Sequence, residues 1–496
     1  MQKNFSEYIK EFEATLKKVF YQRYDINQFS KERSLPVVAM RDIMSSAPLS
    51  VAIPKEYGGR GGKVSECLRV LSAASYESLS LSLTFGINIA LFLEPVAKYA
   101  NPEVKAGIFK RFLENQNMGG LMITEPDFGS DALSMQTFNE KIGSDYAVKG
   151  TKHWQGLTGM ADYWLITSRG KNEQGNLSRD IDFFICDVTK PQQQIIVEEY
   201  YDNLGLYMIP YGKNKVDIQV PAQYKLQPES SGVKMMLDLL HRSRLQFPGM
   251  AMGFIKRMLD ESINYCNERI VGGKRLLELD QVKYQISKIQ SSYTIASAMC
   301  FKSSAMSGIE YDLANNGVEA NTMKAFVTDL MQEAAQTLTQ LSGSKGFKME
   351  SIGGRGIMDS RAFQIFEGSN EMLYTQITEM IFKLMKRKKE FNIFSFLENY
   401  DLTSRAFSFF KESIDFTVAT DLKQRKMIDL GKVFSRIISL DFVLEMGEKG
   451  FRNDLIDNCT ELVKLEVSNL VNAFHSKNTV LQIEDYNEQS QWFDFV

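Results

Sequence analysis

Three short runs decide the fold: YWLITS at 163–168, IDFFICDV at 181–188 and KVDIQV at 215–220. They are rich in apolar and β-branched residues and are separated by clusters of Gly, Asn, Asp and Lys, which is the pattern of strands joined by turns. They place a small β domain over residues 119–227. On both sides of it the apolar period lengthens to that of helices. Residues 1–118 read as a helical domain with a turn-rich interruption, IPKEYGGRGGK, at 53–63. Over 228–385, runs such as LDESINYCNERIV (259–271) and TMKAFVTDLMQEAAQTLTQL (322–341) predict a helix bundle. A basic run, Lys386 to Lys389, opens the last section, 386–496. There Leu455, Cys459, Leu462, Val463, Val467, Leu470, Val471 and Phe474 form one apolar stripe, the mark of a further helical layer that needs a partner surface. The expected fold class is mainly α with a middle β domain.

Composition narrows the function. The 496 residues carry 58 Lys+Arg against 61 Asp+Glu, so no bulk positive field directs the chain to nucleic acid or a membrane surface. The five cysteines are scattered and form no CxxC pair, which argues against a disulfide framework or a thiolate zinc site and fits a reducing cytoplasm. His153, His241 and His475 share no helix-face spacing, so no metal centre is expected. The N-terminus lacks the apolar core of a secretory signal. The longest apolar-looking stretch, Leu79 to Tyr99, is interrupted by Asn88, Glu94, Pro95 and Lys98, and no membrane span is expected.

Three segments carry residues that packing alone does not require: TEPDFGSD (124–131), GTKHWQGLTGMADYW (150–164) and QIFEGSNEM (364–372). The first is a Pro and Gly turn whose hydroxyls, Thr124 and Ser130, suit an anion or heterocycle. The second sets Trp154 before two glycines; the third sets Glu367 before Gly368. Taken singly, each has an ordinary reading as a turn, a core aromatic or a helix cap.

Their order supplies a connection. Together with PKEYGGRGG (54–62), ITEPDFGSD (123–131), KGTKHW and MADYW (149–164), NERIVGGK (267–274), QLSGSKGF and QIFEGSNE (340–371), they make the chain resemble the acyl-CoA dehydrogenase family over roughly residues 30–383. The resemblance implies an N-terminal helical domain, a small β-barrel domain and a four-helix bundle. It implies FAD as cofactor, with Thr124 at the flavin pyrimidine edge, Ser130 at the pyrophosphate and Trp154 beside the isoalloxazine. Gly156 and Ser369 fall at cofactor-facing positions, and Arg269 with the Gln340, Gly343 and Ser344 loop would reach FAD held mainly by a partner subunit. An acyl-CoA would be bound near Ser243 and Arg244. The 386–496 extension is similar in architecture to the added helical domain of very-long-chain members, which implies a homodimer rather than a tetramer.

The chemistry of the residues agrees with that import. The α-proton of a saturated thioester is very weakly acidic, so its removal needs a placed base and an acceptor for the β-hydride together. By resemblance Glu367 is the base that yields trans-2-enoyl-CoA. Relatives that carry the base earlier, just before the arginine matched by Arg244, have a carboxylate where this chain has Ser243. Electrons would pass to an electron-transfer flavoprotein, as in β-oxidation of fatty acids. Three departures stand out: Trp154-Gln155-Gly156-Leu157-Thr158 replaces the usual Trp-Ile-Thr-Asn-Gly, Gly272 takes a Phe position, and His241 replaces an aspartate. The first points to an oxidase-like alternative that uses oxygen. A non-catalytic or nucleic-acid-binding relative is the alternative from another class.

Overall fold

The computed structural model describes residues 3–29, 35–419, 421–476 and 482–496. Helix α1 (Phe5–Lys17) starts where the Asn4 side chain accepts hydrogen bonds from the Ser6 and Glu7 amides. It buries Tyr8, Ile9, Phe12 and Leu16, spaced for one face. Helices α2 (Val64–Glu77) and α3 (Leu79–Asn88) form the middle of this layer, and α4 (Pro102–Glu114) closes it, capped by Asn101.

Through a π turn at Ile89–Leu93, α3 continues as helix to Tyr99. The resulting 21-residue helix is long and apolar enough to cross a membrane by length and composition alone, but 94% of its most apolar window is buried inside the protein. The interruptions are core residues with partners. Asn88 donates to the Thr84 carbonyl and accepts from the Gly119 amide, and Glu94 accepts from the Gln246 amide nitrogen. It is a central helix of the fold.

The middle of the chain is a curled seven-stranded sheet: β1 (Gly119–Met122), β2 (Phe138–Ile142), β3 (Asp145–His153), β4 (Tyr163–Gly170), β5 (Asp182–Asp187), β6 (Ile196–Tyr200) and β7 (Gly212–Pro221). Its order is β1-β4-β2-β3-β7-β6, with β5 also on β4. The central strand β4 begins between β1 and β5 and ends beside β2, which turns one sheet around on itself. In β7 the alternation of KVDIQV puts Val216, Ile218 and Val220 inside and Lys215, Asp217 and Gln219 outside.

Helices resume with α5 (Gly232–Arg244), capped by Ser231. The bundle is α6 (Phe247–Glu268), α7 (Asp280–Met306), α8 (Gly317–Ser342) and α10 (Asn370–Lys388), with the short α9 (Ile352–Arg361) against α8. Beyond it, α11 (Gln424–Glu448) lies along α10 and α7, and α12 (Asn453–His475) lies along α11 and α7. The stripe foreseen in this last helix has its partner within the chain. Cys459, Val463, Val467 and Val471 are buried, while Leu455, Leu462, Leu470 and Phe474 flank them half-buried.

Candidate active site

The segment around Glu367 is a turn of two left-handed residues, Glu367 at φ +53° and Gly368 at φ +92°, followed by Ser369 as the N-cap of α10. A left-handed glutamate costs about 1–2 kcal/mol and persists only where surroundings impose it. They do so here from two sides. The buried Arg244 guanidinium, at the end of α5, donates to the Glu367 carbonyl from Nε (3.1 Å) and Nη2 (2.8 Å) and to Asn321 Oδ1 from Nη1 (2.7 Å). From α8, Lys324 Nζ donates to the Gly368 carbonyl at 2.7 Å and to Asn370 Oδ1 at 3.0 Å.

The carboxylate itself is half engaged. Ser243 Oγ donates to Glu367 Oε1 at 3.0 Å, whereas Oε2 is shut away from solvent with no hydrogen-bond partner among the described residues. Burial raises the Glu367 pKa above the ordinary glutamate range, opposed by the nearby Arg244, the Ser243 hydroxyl and Lys324. A carboxylate with one oxygen anchored and the other buried and unpaired has the character of a proton acceptor rather than a structural ion pair.

The second cluster lies on the sheet. Lys152, fully buried at the end of β3, donates to Glu125 Oε1 (2.9 Å), the Ile123 carbonyl (2.9 Å) and Thr167 Oγ1 (3.1 Å). Glu125 also accepts from the Gln136 (2.6 Å) and Thr137 (2.9 Å) amides. The ion pair holds the Glu125 carboxyl below its usual range despite burial, while burial dominates at Lys152 and brings its ammonium down to about 8. This pair pins the 123–137 loop, which presents Thr124 half-buried and Ser130 exposed. The Thr124 carbonyl accepts from the His153 amide (3.0 Å) and Gln155 Nε2 (3.3 Å), so Thr124 and Trp154 are neighbours.

Trp154, left-handed at φ +60°, remains 52% exposed and rests against Tyr201 with ring centroids 4.5 Å apart. A large aromatic held in a strained turn yet left open to solvent suits a planar ligand better than a core. A Cβ on Gly156 would sit 2.8 Å from Ile87 Cδ1, so the first helical layer closes directly on this loop.

Arg269 meets residues 340–344, expected as a loop but formed by the last turn of α8 and the short turn after it, at one end of the bundle. Lys345 lies 5.8 Å from the Tyr265 ring, and Tyr265 accepts the Arg269 amide on its carbonyl. Arg269, Gln340, Gly343 and Ser344 are exposed there beside exposed Ile270, Val271 and, at 89%, Phe347.

Residues 5–116, 120–217 and 230–382 match, respectively, the N-terminal, middle and C-terminal domains described for acyl-CoA dehydrogenases. The chain belongs to the acyl-CoA dehydrogenase family. Over 351 residues it is 23% identical to an acyl-CoA dehydrogenase of Bacillus subtilis, spanning 69% of this chain and 89% of that protein. The structure of an acyl-CoA dehydrogenase complexed with FAD from Bacillus anthracis is similar with a TM-score of 0.76 at 16% identity, covering 96% of this chain and 88% of that one. Butyryl-CoA dehydrogenase from Megasphaera elsdenii gives 0.67 at 20% identity, covering 77% and 100%. The broader coverage by the Bacillus anthracis structure takes the shared fold into the helical layer after the bundle. As a member of this acyl-CoA dehydrogenase family the protein is an FAD-dependent oxidoreductase. The open face of Trp154 and the unpartnered Glu367 oxygen fit that cofactor and its substrate.

Two site features had escaped the sequence reading. Lys324 stands in TMKAFVTDL between Met323, Ala325 and Phe326, all fully buried, and a lone cation on so buried a helical segment was the available signal. Lys152 shares the inward face of β3 with Val148 and Gly150, and its alternation marked it in the same way. Arg244, expected at CoA, is only 6% exposed and engaged with the Glu367 carbonyl and Asn321; as placed it holds the Glu367 turn.

Proposed function

We propose that the protein desaturates an acyl-CoA thioester to the trans-2-enoyl-CoA, with Glu367 taking the α-proton. The observation that carries this reading is the Glu367 carboxylate: fixed through Oε1 by Ser243, buried and unpartnered at Oε2, on a turn held by Arg244. Bound FAD supplies the acceptor for the β-hydride. Glu367 receives the proton at Oε2, the oxygen free of other bonds. Its raised pKa brings its proton affinity closer to neutrality, which favours a general base. The Thr124 and Trp154 loops form the side on which the flavin is held, and Ser130 and Ser369 offer hydroxyls to it. Ser243 is hydrogen-bonded to the base, and its substrate role is to set the carboxylate's orientation.

Arg269, Gln340, Gly343 and Ser344 sit on an exposed face with Ile270, Val271 and Phe347 uncovered, which supports burial of that end by a second subunit that shares FAD. A homodimer is the assembly favoured here, because α11 and α12 already cover the outer side of the bundle; light scattering that gives a tetramer would overturn it. The electron acceptor in this reading is an electron-transfer flavoprotein.

The deciding experiment is Glu367→Gln. The amide keeps the shape but accepts no proton usefully, so FAD and CoA-ester binding should persist while flavin reduction falls by at least about a hundredfold. Stopped-flow bleaching under excess acyl-CoA reads this directly, and bleaching at the wild-type rate would place the base elsewhere.

A further inference from the structure

Lys324 has an environment that packing does not explain. It is fully buried on α8, and among the described residues it has no carboxylate within ion-pair distance. Its two acceptors are the Gly368 carbonyl and Asn370 Oδ1. Asn370 is itself fixed, donating to the Ala325 carbonyl (2.9 Å), Thr328 Oγ1 (2.9 Å) and Asp329 Oδ1 (2.7 Å). A buried ammonium that hydrogen-bonds only neutral oxygens carries a desolvation cost that those bonded partners do not offset with charge. Arg244 makes the matching contact one residue earlier, at the Glu367 carbonyl.

We propose that Lys324 is a positioning residue for the base: with Arg244 it clamps two consecutive carbonyls, Gly368 and Glu367, and so holds the left-handed turn that aims the Glu367 carboxylate. The inference rests on Glu367 being the base. The clamp works from two elements, α5 and α8, and either cation alone would leave one peptide of the turn free to rotate. It also sets the field at the carboxylate. The charged groups acting on Lys324 are Arg244 from α5, Glu367 from the turn and Asp329 from α8 itself. Burial and Arg244 together lower the lysine to about 7. In its charged form it favours the ionised carboxylate of Glu367.

The test uses full-length, FAD-loaded Lys324→Met and Lys324→Gln proteins beside wild type and Glu367→Gln. Flavin reduction by an acyl-CoA is followed across pH, with thermal unfolding in parallel. Both lysine variants should reduce flavin about tenfold or more slowly, since a displacement near 1 Å at a reacting group costs about a hundredfold. Their acid-side midpoint should move to higher pH, because a cation that favours the carboxylate is gone. Lys324→Gln keeps a donor for the Gly368 carbonyl and separates charge from hydrogen bonding: it should recover part of the rate and none of the midpoint. A lowered unfolding temperature with unchanged rate and midpoint would make the lysine merely structural and overturn the proposal, as would failure of both variants to fold. Wild-type reduction in Glu367→Gln would instead overturn the base reading, whatever the lysine variants do.

Discussion

Replacing Gly368 by alanine tests the Glu367 turn, and with it the proposed base, at its tightest point. At φ +92° an alanine incurs the left-handed penalty of about 1–2 kcal/mol. Its Cβ would lie 2.9 Å from Met372 Cε, 3.0 Å from Leu373 Cδ2 and 3.3 Å from Arg244 Nη2. Overpacking of this kind costs about 1–3 kcal/mol, toward the low end here because the two nearest atoms end flexible side chains. Keeping the native turn would therefore cost about 2–5 kcal/mol in all. The turn has a cheaper escape, relaxation to a right-handed or extended conformation, which removes the Glu367 carbonyl from Arg244 and swings the carboxylate away. A shift of about 1 Å lowers the reduction rate about a hundredfold. The expected Gly368→Ala protein is thus yellow, folded and slow to bleach when mixed with acyl-CoA in a stopped-flow instrument. Bleaching within about threefold of wild type, with unfolding free energy changed by less than about 0.5 kcal/mol, would refute the claim that the turn is sterically specified.

Other consequences are open to direct measurement. Flavin reduction should decline as pH falls through the Glu367 midpoint, which lies above the ordinary glutamate range because burial outweighs the neighbouring cations; a midpoint at or below that range, read from pH-dependent stopped flow, contradicts this. Gly431→Ala places a Cβ 2.1 Å from the Tyr374 carbonyl oxygen on α10 and should lower stability in urea by about 1–3 kcal/mol, whereas Gly107→Ala, with nothing within 4 Å of its Cβ in α4, should be neutral or stabilise by up to about 1 kcal/mol. Gly156→Thr must push the Ile87 methyl aside and adds a hydroxyl to the loop that carries Trp154; reduced protein without product should then reoxidise in air more slowly than wild type, and equal rates remove the oxidase-like reading of this position.

Much of the architecture was legible because period is a physical signal. KVDIQV alternates as β7 does, and the apolar spacing of 322–341 is that of α8. The long helix from Leu79 was harder, since Asn88 and Glu94 look like breaks in sequence and become satisfied core residues only through Thr84, Gly119 and Gln246, distant partners that no local pattern contains. At the site, the family resemblance named Glu367, Ser243 and Arg244, but their meeting depends on α5 ending against a loop 123 residues later in the chain. Lys324 and Lys152 were visible only as cations in apolar settings. What they hold, the Gly368 carbonyl and the Glu125 loop, is set by tertiary packing.

The covering of α10 by α11 also sets an order of events during synthesis. The helix that begins after the Glu367 turn buries Tyr374 against Gly431, and its Thr378 hydroxyl donates to the Met427 carbonyl. Among the described residues α11 covers that face, so the bundle is not finished until the segment up to about Glu448 has left the ribosome. At roughly 5–20 residues per second, the roughly 60 residues between the end of α10 and the end of α11 take about 3–12 s to appear. For that interval α10 exists with its outer side bare. A nascent chain of this protein therefore offers chaperones a late and defined target, and premature termination before the end of α11 leaves the sticky face of the bundle exposed.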